Sequence, residues 1–162
     1  MENELKVVDI FIGTTLRGSA KGSGRVMYIM RTKRKNGSDY EAAPQIVEYD
    51  NTTESESVLR AIRDALQRLH YACTVVIHTE CSNVAAAIAQ HWPEKWQHDG
   101  WKSAKGNPVK NAVLWEMLLQ DVEEGGHILL AEGEKHEYAE WMRFNMPLKR
   151  ALKDIFTEVP KS

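Results

Sequence analysis

Residues 92–115 read WPEKWQHDGWKSAKGNPVKNAVLW. Trp92, Trp96, Trp101 and Trp115, four of the chain's five tryptophans, fall here, interleaved with Lys95, Lys102, Lys105 and Lys110. A surface loop has no use for so much aromatic area, because an indole left in water forfeits the burial of a large apolar surface. Trp92 and Trp96 are four residues apart and share one face of a helix. Trp101 and Trp115 are expected to pack the intervening turn against the helix that follows. That helix spans 109–123 and stops at Gly125-Gly126, a glycine C-terminus. The lysines of the turn can meet phosphates.

Outward from this stretch the chain alternates in period. KVVDIFI, residues 6–12, is β-branched and aromatic and predicts a strand. A loop with Gly18, Gly22 and Gly24 follows, then a strand over 25–33. Asn36-Gly37 is a hairpin signal that returns the chain near 44–50. Val58, Leu59, Ile62, Ala65, Leu66 and Leu69 recur at helical spacing, so 53–70 is a helix, opened by a capping box of Thr53 and Glu56. TVVIHT, 74–79, is a buried strand and, following a crossover helix, parallel to an earlier one. Residues 82–91 are helical, 127–131 form a last strand, 134–143 a short helix, and Pro147 opens an amphipathic helix over 147–158 carrying Leu148, Leu152 and Ile155. The order, three meandering strands and then alternating helices and strands, is that of an α/β domain with a five-stranded mixed sheet and flanking helices.

The chain has 162 residues, the length of one domain, so 1–162 is read as a single unit. Its composition, 43% hydrophobic and 27% charged, is that of a soluble globular protein. A net charge of −2 argues against a generally basic nucleic-acid binder, so any footprint for phosphates must be local. Cys73 and Cys81 lack metal-ligand spacing and are read as reduced thiols. The N-terminus lacks the basic start and long apolar run of a signal peptide. No stretch approaches a membrane span, and the expected location is the cytoplasm with no membrane partner.

Gly100-Trp101-Lys102-Ser103-Ala104, then Pro108-Val109-Lys110-Asn111, then Leu114-Trp115, resemble in order and spacing the handle, or basic protrusion, of bacterial-type ribonuclease H. The resemblance extends over 7–131. VDIFIGTT is similar to the family's first strand, Thr52-Thr53 with LRAIRDALQRL to its helix start, and VVIHTECSNVAAAI to its fourth strand and following helix. It implies a ribonuclease H-like fold and an RNA–DNA hybrid or duplex as partner. It also implies a nucleic-acid surface of Thr53, Asn83, Trp92, Trp96, Lys102, Lys105 and Lys110.

The family hydrolyses the RNA strand with carboxylates that hold two magnesium ions. Carried over residue by residue, the first acid position is Gly13, the helix glutamate is Val58, the strand-end aspartate is Glu80, and the last falls near Trp141 or Met142. Glu80 is the retained acid and at most a weak metal ligand. Asp9, four residues before Gly13 on one strand face, sits about 13 Å away at ~3.3 Å per residue and is too far to substitute. Glu56, ~200° around the helix from Val58, points away. The tip Gln97-His98-Asp99 and Asn107 replace basic residues common in the enzyme, which lowers the number of counterions released on binding. The expectation is a hybrid-binding ribonuclease H homologue with impaired catalysis and no cofactor. Two alternatives stand beside it. One is an active, magnesium- or manganese-dependent hybrid nuclease using relocated acids such as Glu137 or Glu140. The other is a scaffold for a protein partner.

Overall fold

The computed structural model describes residues 5–146. The helix expected at 147–158 lies outside them. Strand β1 (Lys6–Thr14) pairs antiparallel with β2 (Gly22–Lys33) and parallel with β5 (Cys73–His78), which pairs parallel with β6 (Ile128–Glu132). The return strand is divided, because Ala42-Ala43-Pro44 breaks the ladder. β3 (Asp39–Glu41) and β4 (Gln45–Thr52) pair successive parts of β2 along the same edge. The mixed sheet thus has six strands but is five positions wide. At the hairpin, Gly37 has φ +88° and its N–H reaches the Arg34 carbonyl at 2.9 Å, as the Asn-Gly signal requires.

Alternation along each strand builds two unequal cores. Ile10, Ile12, Val26, Tyr28, Val75 and Ile77 point to one face, where α1 (Glu54–Leu66), α2 (Ser82–Ala89) and α4 (Ala112–Gly125) cover them. Phe11, Met27 and Ile29 point to the other and meet Met142 and Met146, from α5 (Ala139–Asn145) and its end. The capping box forms: Thr53 Oγ1 accepts from Glu56 N, and Glu56 accepts from Thr53 N. Helix α1 ends at Leu66, one turn before the periodicity suggests, and Leu69 packs on the core from the following turn.

The tryptophan-rich stretch forms α3 (Trp92–His98) and an irregular turn. Trp115 and Leu118 of α4 are buried in the larger core. Trp96 stands edge-on to Trp115 with ring centroids 6.0 Å apart, and Trp101 packs against the same cluster. Trp92 lies 6.3 Å from Trp96 but is 40% exposed. Gly100 and Trp101 are both left-handed, at φ +74° and +65°. The turn is held by Ser103 N to Asn107 O at 2.7 Å and Val109 N to Trp101 O at 3.0 Å. Helix α4 begins at Ala112, after a left-handed Asn111, rather than at Val109. Cys73 and Cys81 are free and buried, and burial pushes both thiols up from their ordinary pKa. Among the described residues no helix is long and apolar enough to cross a membrane.

Candidate nucleic-acid interface and the cleft at Gly13

Because β1 and β5 are parallel neighbours, their C-terminal ends come side by side, where open α/β sheets place ligands. A cleft of about 270 Å³ opens there. Gly13 and Thr14 of β1, Glu80 and Cys81 after β5, Glu54 at the start of α1, and Met142 and Arg143 of α5 line it.

The acid positions read from the sequence are filled in a specific way. A Cβ built on Gly13 would lie 2.8 Å from Met142 Sδ, 3.2 Å from Met142 Cβ and 3.3 Å from Met146 Cε. The thioethers have taken the space a side chain there would need. Val58 is fully buried in the larger core. Glu80 is 40% exposed and accepts from Arg143 Nη2 at 3.2 Å. Of the two residues near which the last acid position falls, Met142 is buried against the sheet and Trp141 is exposed.

Glu54, four residues before Val58, also lines the cleft, where its Oε1 accepts from Gly18 N at 2.9 Å. Sequence reasoning missed it. The i−4 spacing that places Asp9 on the face of Gly13 has its helical counterpart in Glu54 and Val58. Arg17 and Arg143 were missed as well, and no motif marks them. Arg17 Nη1 donates to the carbonyls of Thr14 and Leu16 at 2.6 and 2.7 Å. Glu56, as expected, does not line the cleft: it caps α1 and lies 4.0 Å from Lys21 Nζ.

The expected nucleic-acid residues are dispersed. Lys102, Lys105 and Lys110 are exposed on the turn and its exit, and none has an ion pair to another described residue. Asn83 is exposed in the first turn of α2. Thr53 is buried, with its hydroxyl committed to the helix cap. Of Trp92 and Trp96, only Trp92 offers a free face.

The candidate relocated acids do not line the cleft, although Glu140 lies 3.8 Å from Arg143, which does. Glu137 binds Arg31 at 2.8 Å, which holds its carboxyl below the usual range, and Glu140 binds Lys135. Asp9 pairs with His78 Nε2 at 2.8 Å, and His78 stacks on Phe11 at 4.4 Å. His136 Nε2 donates to the Ile12 carbonyl at 2.9 Å while Nδ1 accepts from Tyr138 N at 3.2 Å. Burial lowers its pKa from 6.5. A larger groove, about 810 Å³, lies between α1, β4 and the start of α4. Its arginines are engaged, Arg63 with Asp121 at 2.6 Å and Arg60 over the Tyr49 ring, and it is away from the strand ends.

The pattern of the family described as RNase H matches residues 13–131. The ribonuclease H of Oleidesulfovibrio alaskensis is 31% identical over 117 residues, covering 71% of this chain and 70% of the relative. That of a Thermoanaerobacter species is 29% identical over 121 residues, 74% of this chain and 73% of the relative. A higher identity, 38% with the ribonuclease H of Caldicellulosiruptor saccharolyticus, spans 71 residues, 44% of this chain and 49% of that protein. Among solved structures, LC9-RNase H1, a type 1 RNase H with the type 2 active-site motif, superposes with a TM-score of 0.68 at 18% identity, covering 88% of this chain and 71% of that one. The foamy viral protease-reverse transcriptase in complex with RNA/DNA hybrid gives 0.64 at 13% identity, covering 95% of this chain and 20% of that one. At such identities the two structures speak to the fold alone.

Proposed function

The chain belongs to the ribonuclease H family, and from that premise we propose that it binds RNA–DNA hybrid while having lost most of the family's hydrolytic capacity. The observation that carries the reading is Met142 Sδ, 2.8 Å from where a Cβ on Gly13 would lie. An aspartate does not fit there without displacing the α5 side chains. The donor set also does not fit a pair of magnesium ions. Glu54 and Glu80 are the carboxylates that line the cleft, one spent on Gly18 N and the other on Arg143. Among the described residues no group of three or more His, Cys, Asp or Glu could hold a metal ion. Magnesium requires near-octahedral oxygen ligation, which two diverted carboxylates do not supply.

Binding, in this reading, uses the handle. Lys102, Lys105 and Lys110 face phosphates, Trp92 presents a ring to the strand beside them, and Asn83 lies near the backbone. These few cations on a chain of net charge −2 give weak, salt-sensitive affinity.

The test is a gel assay with a labelled hybrid, with and without magnesium or manganese, scoring cleavage and mobility together. A shift without cleavage that fades as salt rises is expected. Metal-dependent RNA cleavage abolished by Glu80→Gln would establish an active nuclease instead. No shift at any salt would point to a protein partner on the same scaffold.

A further inference from the structure

The cleft at Gly13 is lined by two guanidinium groups alongside its carboxylates, Glu54 and Glu80. Arg143 lines it from α5 and Arg17 from the loop after β1. Arg17 is exposed, and its hydrogen bonds go to backbone carbonyls, which orient the group without neutralising its charge. It has no ion pair to another described residue. Arg143 is half exposed, meets Glu80 through a single contact at 3.2 Å and lies 3.8 Å from Glu140. An arginine has five N–H donors, so most of this one's capacity is unspent. An exposed pair of this kind contributes little to stability, so it opens readily to a better acceptor. A phosphodiester is such an acceptor, since its two charged oxygens match the guanidinium fork.

We infer that Arg143 and Arg17 form a metal-independent clamp for a backbone phosphate of the bound strand, replacing with fixed cations the charge that metals supply in a carboxylate-lined site. The inference rests on the hybrid-binding reading and adds a second contact region to the handle. In it Glu80 is no ligand. It is the intramolecular competitor that occupies Arg143 until phosphate arrives. The sign of its effect is therefore opposite to that of a catalytic acid: removing its charge frees Arg143 and lowers repulsion of the incoming strand.

Fluorescence anisotropy of a labelled RNA–DNA hybrid, with the full chain in EDTA and over a salt series, tests this. The wild-type chain is expected to bind without metal. Arg143→Gln is expected to weaken binding about ten-fold and to reduce the salt slope by about one, and Arg17→Gln to act in the same direction. Glu80→Gln is expected to tighten binding. Lys105→Gln on the handle reports the underlying reading independently, and thermal melts confirm that these exposed substitutions leave the fold intact. If wild-type binds and Lys105→Gln weakens it while both arginine variants bind like wild-type, the clamp is wrong and the hybrid reading stands. Weaker binding by Glu80→Gln would also overturn the clamp. If the wild-type chain does not bind hybrid at any salt, the reading and the clamp fall together.

Discussion

In the proposed reading the tryptophan-rich handle and the cleft at Gly13 belong to one family pattern and have gone opposite ways. In the handle the residues that carry the resemblance are also structural: Trp115 belongs to the larger core, and Trp96 and Trp101, partly buried, pack against it. In the cleft the family's acids have no packing role. At positions the resemblance assigns to acids stand Gly13 and Val58, Val58 in the larger core, while Met142 and Met146 of the smaller one fill the space beside Gly13. On that reading a motif held by packing would outlast a change in the chemistry beside it, because losing it would cost stability. A carboxylate cluster without its metal is self-repelling, and its loss relieves strain.

The most severe way to break this comparison is at the handle. Trp115→Ala removes a side chain that is 4% exposed and touches Trp96, and should cost about 3–5 kcal/mol in a urea titration. A cost below about 1 kcal/mol would mean that the tryptophans persist for contact rather than for packing. A smaller effect is expected in the cleft. Gly13→Asp, which restores the family residue, forces Met142 and Met146 aside and should cost about 1–3 kcal/mol. In a Met142→Ala background the same change should cost less. Additivity of the two substitutions would show that Met142 is not what excludes the acid.

The fold was legible because its signals are local and redundant. Asn36-Gly37, the Thr53–Glu56 box and the α1 periodicity each report one geometry, and the structure contains all three. The return strand near 44–50 is β4, but the three-residue β3 before it was not foreseen; Pro44, which lacks an N–H, separates the two. The cleft was half legible. Gly13 and Val58 are read directly from the strand and helix that carry the resemblance, but what fills the space beside Gly13 is not, since Met142 reaches it across 129 positions of chain. Arg17 and Arg143 are ordinary surface arginines until the fold brings them to one opening. Thr53 was read both as a helix cap and as a nucleic-acid residue; the structure contains the cap, with the side chain buried.

The smallest expected effect sharpens the comparison from the α5 side. His136 joins the end of β1 to the approach to α5 as a fixed neutral tautomer, with Nε2 donating to Ile12 O and Nδ1 accepting from Tyr138 N. Burial lowers its pKa below 6.5, while the Ile12 carbonyl and the nearby Glu80 and Glu137 oppose that shift and His78 adds to it. The unfolded chain thus binds a proton at a pH where the folded chain does not. This group's contribution to stability is fully present above about pH 6.5 and is lost as pH falls toward the lowered folded value. Protonating Nδ1 also removes the acceptor for Tyr138 N, so acid should loosen the approach to α5, and with it Met142, before it touches the handle. A site-resolved NMR titration should place the His136 midpoint below 6.5, with amide shifts around Tyr138 and Met142 following it and those around Trp115 unmoved. A midpoint above 6.5 would mean that the acids on this side outweigh burial, and that the smaller core is tied down by charge and not by packing.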